Sequence, residues 1–281
     1  MTETRSTSAA RGAGGATADR GLSPVQGVLR QLDSLVIIYL RTWKGTVLSS
    51  FVSPLFYVLA MGVLLGGFIH RPASQLEGAT SYLAFIVPGL IAAQAMQMAV
   101  SETTYPVMSA LKWQRTFYAQ LATPLQPRDL ANAMLCWMVF RVGTSCGVYF
   151  LVMAPFGVFA TWWGPVLAWL VTLLVGMAFG TWVFAFSAQT RSEGSFTMIY
   201  RFGLVPMFLF SGAFFPIANL GEVGSWVARC TPLWQGVDLI RVLCLDSGKA
   251  STAAVNLLVL AVLAVVGWAV ALRSLHARLT T

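Results

Sequence analysis

Charged side chains are scarce in the apolar stretches of this sequence, so those that occur there are the first candidates for chemistry. Glu102 closes the uncharged run from Gly78 to Ser101, and Arg141 interrupts another apolar stretch. A charge held in hydrocarbon is costly, and such residues face a bundle interior or a water-filled path. Both residues therefore read as lining a translocation path or gate. For Glu102, close to a span boundary, a structural role at the headgroups fits equally well. For Arg141 an interior role is favoured, with its partner open.

A second group is basic and aromatic. The stretch "ALKWQRTFYAQLATPLQPRDL" (110–130) carries Lys112, Trp113, Arg115 and Phe117. Arginine beside aromatics is the composition of a protein contact surface; the plainer reading is a loop whose charges only fix topology. A third group lies in "AFFPIANLGEVGSWVARCTPLWQGVDLIRVLCLD" (213–246), with Phe215, Pro216, Pro232, Asp238 and Arg241. Asp238 and Arg241 stand at i and i+3, so they could pair across one helical turn.

The residues point away from catalysis. Gly248-Lys249 is followed by Ala250 and lacks the preceding glycine of a phosphate-binding loop. The two histidines, His70 and His276, fall on opposite membrane faces and make neither a metal site nor a Ser/His/Asp set. No paired carboxylates occur within an apolar run. No catalytic residue and no metal ligand is assigned.

The elements that must position these groups follow from composition. The 281 residues are 57% hydrophobic and 10% charged, against roughly 25% charged in a soluble domain. The bilayer must supply most of the solvent. About 20 apolar residues of helix cross its core of about 30 Å. Six such spans are expected, near 46–69, 81–104, 130–154, 164–188, 199–217 and 252–272. The third and fourth form a hairpin turned at Pro155, Gly157, Gly164 and Pro165.

Loop charges set the orientation. Arg30, Arg41, Lys44, Lys112, Arg115, Arg128, Arg191, Arg273 and Arg278 fall on one side; Arg71, Arg229, Arg241 and Lys249 fall on the other. Both termini are thus expected in the cytoplasm, with the net charge of +8 reflecting topology and anionic headgroups rather than nucleic acid. Residues 1–24, rich in Ala, Gly, Ser and Thr, read as a disordered tail without a cleavable signal. Residues 25–272 form the membrane domain, and 273–281 a second tail.

Residues 25–44 are amphipathic, with Val25, Val28, Leu29, Leu32, Leu35, Val36, Tyr39 and Trp43 at helical spacing. They suit a helix lying in the inner headgroup plane. "VMSALKWQRTFYAQLA" is expected to form one helix of about four turns, stopped by Pro124. Residues 213–246 are too polar to cross and too apolar for a solvated loop. They read as a broken re-entrant segment on the outer face, packed against protein. The pairs Gly62/Gly66, Gly143/Gly147 and Gly176/Gly180 permit close helix approach. Cys136 and Cys146 read as packing residues; Cys230 and Cys244 both lie in the outer segment, where a disulfide is chemically possible.

"MSALKWQRTFYAQLATPLQPRDLA" resembles the cytoplasmic segment of ABC-2 type transport permeases. It is most similar to the nodulation-type (lipochitooligosaccharide exporter) branch and its drug-export relatives. "FVSPLFYVLAMGVLLGG", "YLAFIVPGLIAAQAMQ" and "FLFSGAFFPIANL…TPLWQGVDLIRVL" resemble the same family, in the same order, over about residues 25–272. The resemblance implies an all-α half-transporter in a bacterial inner membrane. Two six-helix permeases would pair, as homodimer or heterodimer, and dock two separate ABC ATPase subunits. ATP and Mg would bind to those subunits, and no cofactor to this chain. Residues 25–44 and 109–122 would form the docking surface, with Lys112, Trp113, Arg115 and Phe117 as contacts. The short helices at 213–242 would cap the outer exit. One departure is Gln235, where many relatives carry His, so a titratable role is not available there.

The resemblance implies outward movement of an amphiphilic small molecule, lipid or lipid-linked saccharide. A self-standing secondary carrier or channel is the alternative. A non-transporting acyltransferase or scaffold would require clustered His, Asp or Ser at one membrane face, a pattern not found.

Overall fold

A computed structural model describes residues 24–57, 60, 79, 81–245 and 250–280. The expected tail 1–24 lies almost wholly outside these residues, as do Gly62/Gly66 and the second half of the span at 46–69. The described residues are helical, with no strand among them. Helix α1 spans Pro24–Tyr57, α2 Tyr82–Thr103, α3 Tyr105–Met108, α4 Thr116–Leu121, α5 Pro127–Met153, α6 Gly164–Gln189, α7 Gly194–Met198, α8 Val205–Phe210, α9 Gly221–Cys230, α10 Pro232–Leu245 and α11 Ala250–Thr280. Four helical runs among the described residues are long and apolar enough to cross a membrane: Tyr82–Trp113, α5, α6 and α11.

Local chemistry sets the boundaries. Ser81 caps α2, its hydroxyl accepting from the Ala84 amide at 3.1 Å, which satisfies one of the orphan donors of a helix start. At α5, Pro127 follows Gln126, whose side chain and that of Asp129 form a reciprocal capping box. Pro127 also ends the connection from the insert, because proline suits a first helical turn.

Cross-helix contacts give the directions. The α2–α5 contacts run oppositely along the two helices, Glu102 meeting Arg141 and Gln94 meeting Ser145. The α5–α6 contacts do the same: Gly143 underlies Trp169, and Gly176 faces Val142. In contrast, α6 and α11 run together, since Trp182 meets Leu263 and Gln189 meets Ser274. Helix α1 runs with α5, Gly27 against Asp129 and Tyr39 against Trp137 and Phe140. So α1 and α5 point one way, and α2, α6 and α11 the other.

Glycines let these helices approach. A β-carbon on Gly176 would lie 3.1 Å from Val142, and one on Gly180 would lie 2.7 Å from Met138. Trp169 covers Gly143 and donates to its carbonyl at 2.8 Å. Close packing of this kind replaces the hydrophobic drive that lipid cannot supply. The second helix is the most deeply packed, with Phe85, Ile86, Ile91 and Met96 fully buried.

Three elements depart from the sequence expectation. The amphipathic segment 25–44 does not end at Lys44 and lie across the bundle. It continues to Tyr57 as one helix and packs along α5. No proline or charge cluster directly follows Lys44, Pro54 coming only at the last turn of the helix, and a lone Gly45 costs only about 1 kcal/mol in a helix. The expected helix over the insert is broken: a π turn covers Ser109–Trp113 and Arg115 adopts left-handed φ of 52° before α4. The fifth span, expected at 199–217, is instead the helical run Gly194–Phe210, with a π turn at Ile199–Leu204. It ends where Gly212 takes a φ of 76°.

Candidate functional site

The two charged residues singled out within the apolar stretches are each other's partners. Arg141 Nε donates to Glu102 Oε1 at 3.0 Å, with the side chains only 11% and 17% exposed. The guanidinium also stands over the Tyr39 ring, 4.9 Å from its centroid. One pair thus ties α1, α2 and α5. In a low-dielectric interior, such a pair holds only if its geometry is good and both charges are compensated. Two turns away, Gln94 Nε2 donates to Ser145 Oγ at 3.0 Å, a second polar rung between α2 and α5.

Beside this ladder lies a cavity of about 490 Å³ between α2 and the fifth helical run. Gln94, Gln97 and Ser101 line one wall, and Tyr200, Leu204 and Phe208 the other. The polar wall recurs at i, i+3 and i+7, one face of a helix. It offers uncharged hydrogen-bonding groups against apolar surface, a lining that suits an amphiphile with a neutral polar part. These three residues were not selected from the sequence, although the spacing in "QAMQMAVS" carries the signal.

At the insert, Lys112, Trp113 and Arg115 are exposed, whereas Phe117 is 1% exposed and part of the core. Phe117 is therefore a support beneath the surface and not a surface contact. The break at Arg115 explains this, because it turns α4 so that Phe117 points inward and Tyr118 outward. Lys112 Nζ lies 3.4 Å from the Arg191 carbonyl and 3.9 Å from Glu193 Oε1, linking the insert to the connection after α6.

In the segment 213–245, expected on the outer face, Phe215, Pro216 and Pro232 are half-buried and Arg241 is buried. Arg241 donates to the Gly212 carbonyl at 2.9 Å and its guanidinium lies 4.2 Å from the Phe85 ring centroid. It thereby satisfies a carbonyl freed where the fifth run ends. Asp238 accepts from Asn256 of α11 at 2.8 Å. Ala213 rests on α2 at Gly89, where a β-carbon would lie 2.5 Å from Ala213 Cα. Short helical pieces between Ile217 and Leu245 match the broken segment expected there. Gln235 is buried, its amide nitrogen 3.5 Å from the Arg229 carbonyl.

The cysteines are free thiols, Cys230 exposed and Cys244 buried. Cys230 ends α9 and Cys244 lies near the far end of α10. About 18 Å of helix separates Pro232 from Cys244, well beyond the 7 Å Cα limit for a disulfide.

Comparison with known proteins agrees with this architecture. A profile of the ABC-2 type transporter family matches residues 32–245. Nodulation protein J of Rhizobium meliloti (strain 1021) is 31% identical over 212 residues, 73% of this chain and 78% of that one. Nodulation protein J of Bradyrhizobium diazoefficiens is 30% identical over 230 residues, covering 79% and 84%. That of Rhizobium leguminosarum bv. trifolii is 30% identical over 207 residues, covering 72% and 77%. With its apolar bundle, its polar ladder and a match over most of its length, the chain belongs to the ABC-2 type transporter family of membrane proteins.

Proposed function

We propose that this chain is the permease subunit of an ATP-driven exporter in a bacterial inner membrane. It moves an amphiphilic small molecule, lipid or lipid-linked saccharide outward. A separate ABC ATPase binds ATP and Mg and supplies the energy. Two permeases, identical or different, pair around the path. In this reading the chain crosses six times, with the run at 194–210 supplying the fifth crossing and both termini in the cytoplasm.

One observation carries the reading. The amphipathic cavity wall of Gln94, Gln97 and Ser101 lies on the same helical run that ends in exposed Lys112 and Trp113. Closure of the ATPases on ATP pushes the insert, and the push reaches the cavity along α2. The cavity then opens outward past Gly89 and the segment it supports. The Glu102–Arg141 pair reads as a tie between α2 and α5 within the bundle. The resemblance to the nodulation-type (lipochitooligosaccharide exporter) branch, with which relatives named nodulation protein J agree, supports a saccharide-bearing amphiphile as substrate class.

The test is co-expression with a candidate ABC ATPase subunit, followed by purification and transport in reconstituted vesicles. Co-purification and ATP-dependent outward transport are expected, both weakened by Lys112→Glu/Arg115→Glu. Transport without any ATPase would overturn the reading; unchanged association in the double variant would overturn the contact assignment.

A further inference from the structure

We propose that Lys112, Arg115 and Arg278 form one socket for carboxylate side chains of a cytoplasmic protein, so that the end of α11 docks the partner together with the insert. This rests on the function proposed above and extends the contact surface to a helix that neither the resemblance nor the sequence implicated.

The three cations line a single cavity of about 560 Å³, with Leu111 and Tyr118 completing its wall. They come from distant parts of the chain: the π turn after α3, the left-handed residue before α4, and the last turn of α11. A non-glycine residue in the left-handed region is uncommon and held by its surroundings. At Arg115 that conformation keeps the side chain in the cavity wall. Lys112 has Glu193 at 3.9 Å, with both side chains about half exposed. Among the described residues, neither Arg115 nor Arg278 has a carboxylate partner. Like charges gathered this closely repel one another, and an anion entering between them removes that cost.

The surroundings of the socket decide which anion. Helix α11, with 31 residues, runs in the same direction as α2 and carries Arg278 about 42 Å from Ala250. The bilayer with its headgroups is about 40–45 Å thick. The socket thus stands at the edge of the headgroup layer, within reach of a docked protein. Trp113 and Tyr118, 49% and 45% exposed, flank it. Aromatics around arginine are typical of the energetic centres of protein interfaces. The geometry therefore favours protein carboxylates over lipid phosphate.

The experiment uses the full chain, tagged and co-expressed with a candidate ABC ATPase subunit. Retained ATPase and retained phosphatidylglycerol are measured for the parent, Arg278→Glu, Arg278→Ala and Arg278→Lys, at low and high salt. Unfolding of each permease is followed alongside. Arg278→Glu is expected to lower the affinity for the ATPase about tenfold, with Arg278→Ala between and Arg278→Lys close to the parent. The parent's affinity should fall with salt more steeply than that of Arg278→Glu. If the parent retains the ATPase and Arg278→Glu retains it equally, the socket is overturned while the exporter reading stands. Loss of phosphatidylglycerol with unchanged ATPase would overturn it in favour of a headgroup site. A parent chain that holds no ATPase would bring down the exporter reading and the socket together. An Arg278→Lys variant as weak as Arg278→Glu, with normal unfolding, would also sink a charge-based socket.

Discussion

Arg141 of α5 donates its Nε to Glu102 of α2 at 3.0 Å, although the two residues are 39 apart in the chain and each interrupts an otherwise apolar stretch. Removing one partner strands the other charge in a low-dielectric setting, at a cost of about 3–5 kcal/mol. Glu102→Gln and Arg141→Gln are each expected to lower the unfolding temperature in detergent markedly. Glu102→Gln/Arg141→Gln together should recover much of that loss. A double-mutant cycle on thermal unfolding checks this; additive losses would show that the pair does not couple.

Tyr39 holds the same guanidinium from a third helix. Tyr39→Phe keeps the ring and should cost little, whereas Tyr39→Ala should destabilise by about 1 kcal/mol or more. Equal unfolding temperatures for Tyr39→Ala and the parent would remove α1 from the cluster.

The cavity wall makes a prediction about transport rather than stability. Gln97 is exposed within the cavity lining and has no hydrogen bond among the described side chains. Gln97→Leu should leave unfolding almost unchanged. It should weaken apparent substrate affinity by about fivefold, the worth of one lost hydrogen bond of about 1 kcal/mol. Initial transport rates against substrate concentration read this directly, and an unchanged KM would take Gln97 out of the path.

Gly89 has no room for a side chain, since a β-carbon would meet the Ala213 backbone at 2.5 Å. Gly89→Val should displace the turn at 211–215 and abolish transport. If the permease still folds, protease cleavage within 213–230 should accelerate. Normal transport by Gly89→Val would place the outer segment elsewhere.

The thiols report both burial and side. Cys230 is exposed, whereas burial pushes the Cys244 thiol up to about 12. Cys244 therefore stays protonated and unreactive through pH 9. A membrane-impermeant maleimide applied outside spheroplasts should label Cys230 and spare Cys244. Labelling of Cys230 only after lysis would reverse the proposed orientation.

The sequence already disclosed the second, third, fourth and sixth apolar helices, because their uncharged runs leave few alternatives. It also singled out Glu102 and Arg141, since a charge in lipid is conspicuous. Their pairing was not legible, as it depends on how α2 and α5 register against each other. Nor was the break at Arg115, because "KWQRTF" contains neither Gly nor Pro to mark it. Phe117 looked like its aromatic neighbours until the break turned it inward. The end of the fifth run at Phe210 depends on Gly212 and on the Arg241 side chain that reaches it from α10, a contact that spacing along the chain does not encode.

The position of the Glu102 pin along its helix has a mechanical consequence. Helix α2 ends at Thr103, one residue past Glu102, and Thr104 leaves helical geometry before α3 begins. The pin thus sits at a joint, with about 30 Å of unbroken helix on its Tyr82 side and only short pieces on the side of Lys112. A push at Lys112 reaches Gly89 only through that joint, so the stiffness of the Glu102–Arg141 contact sets how much of it arrives.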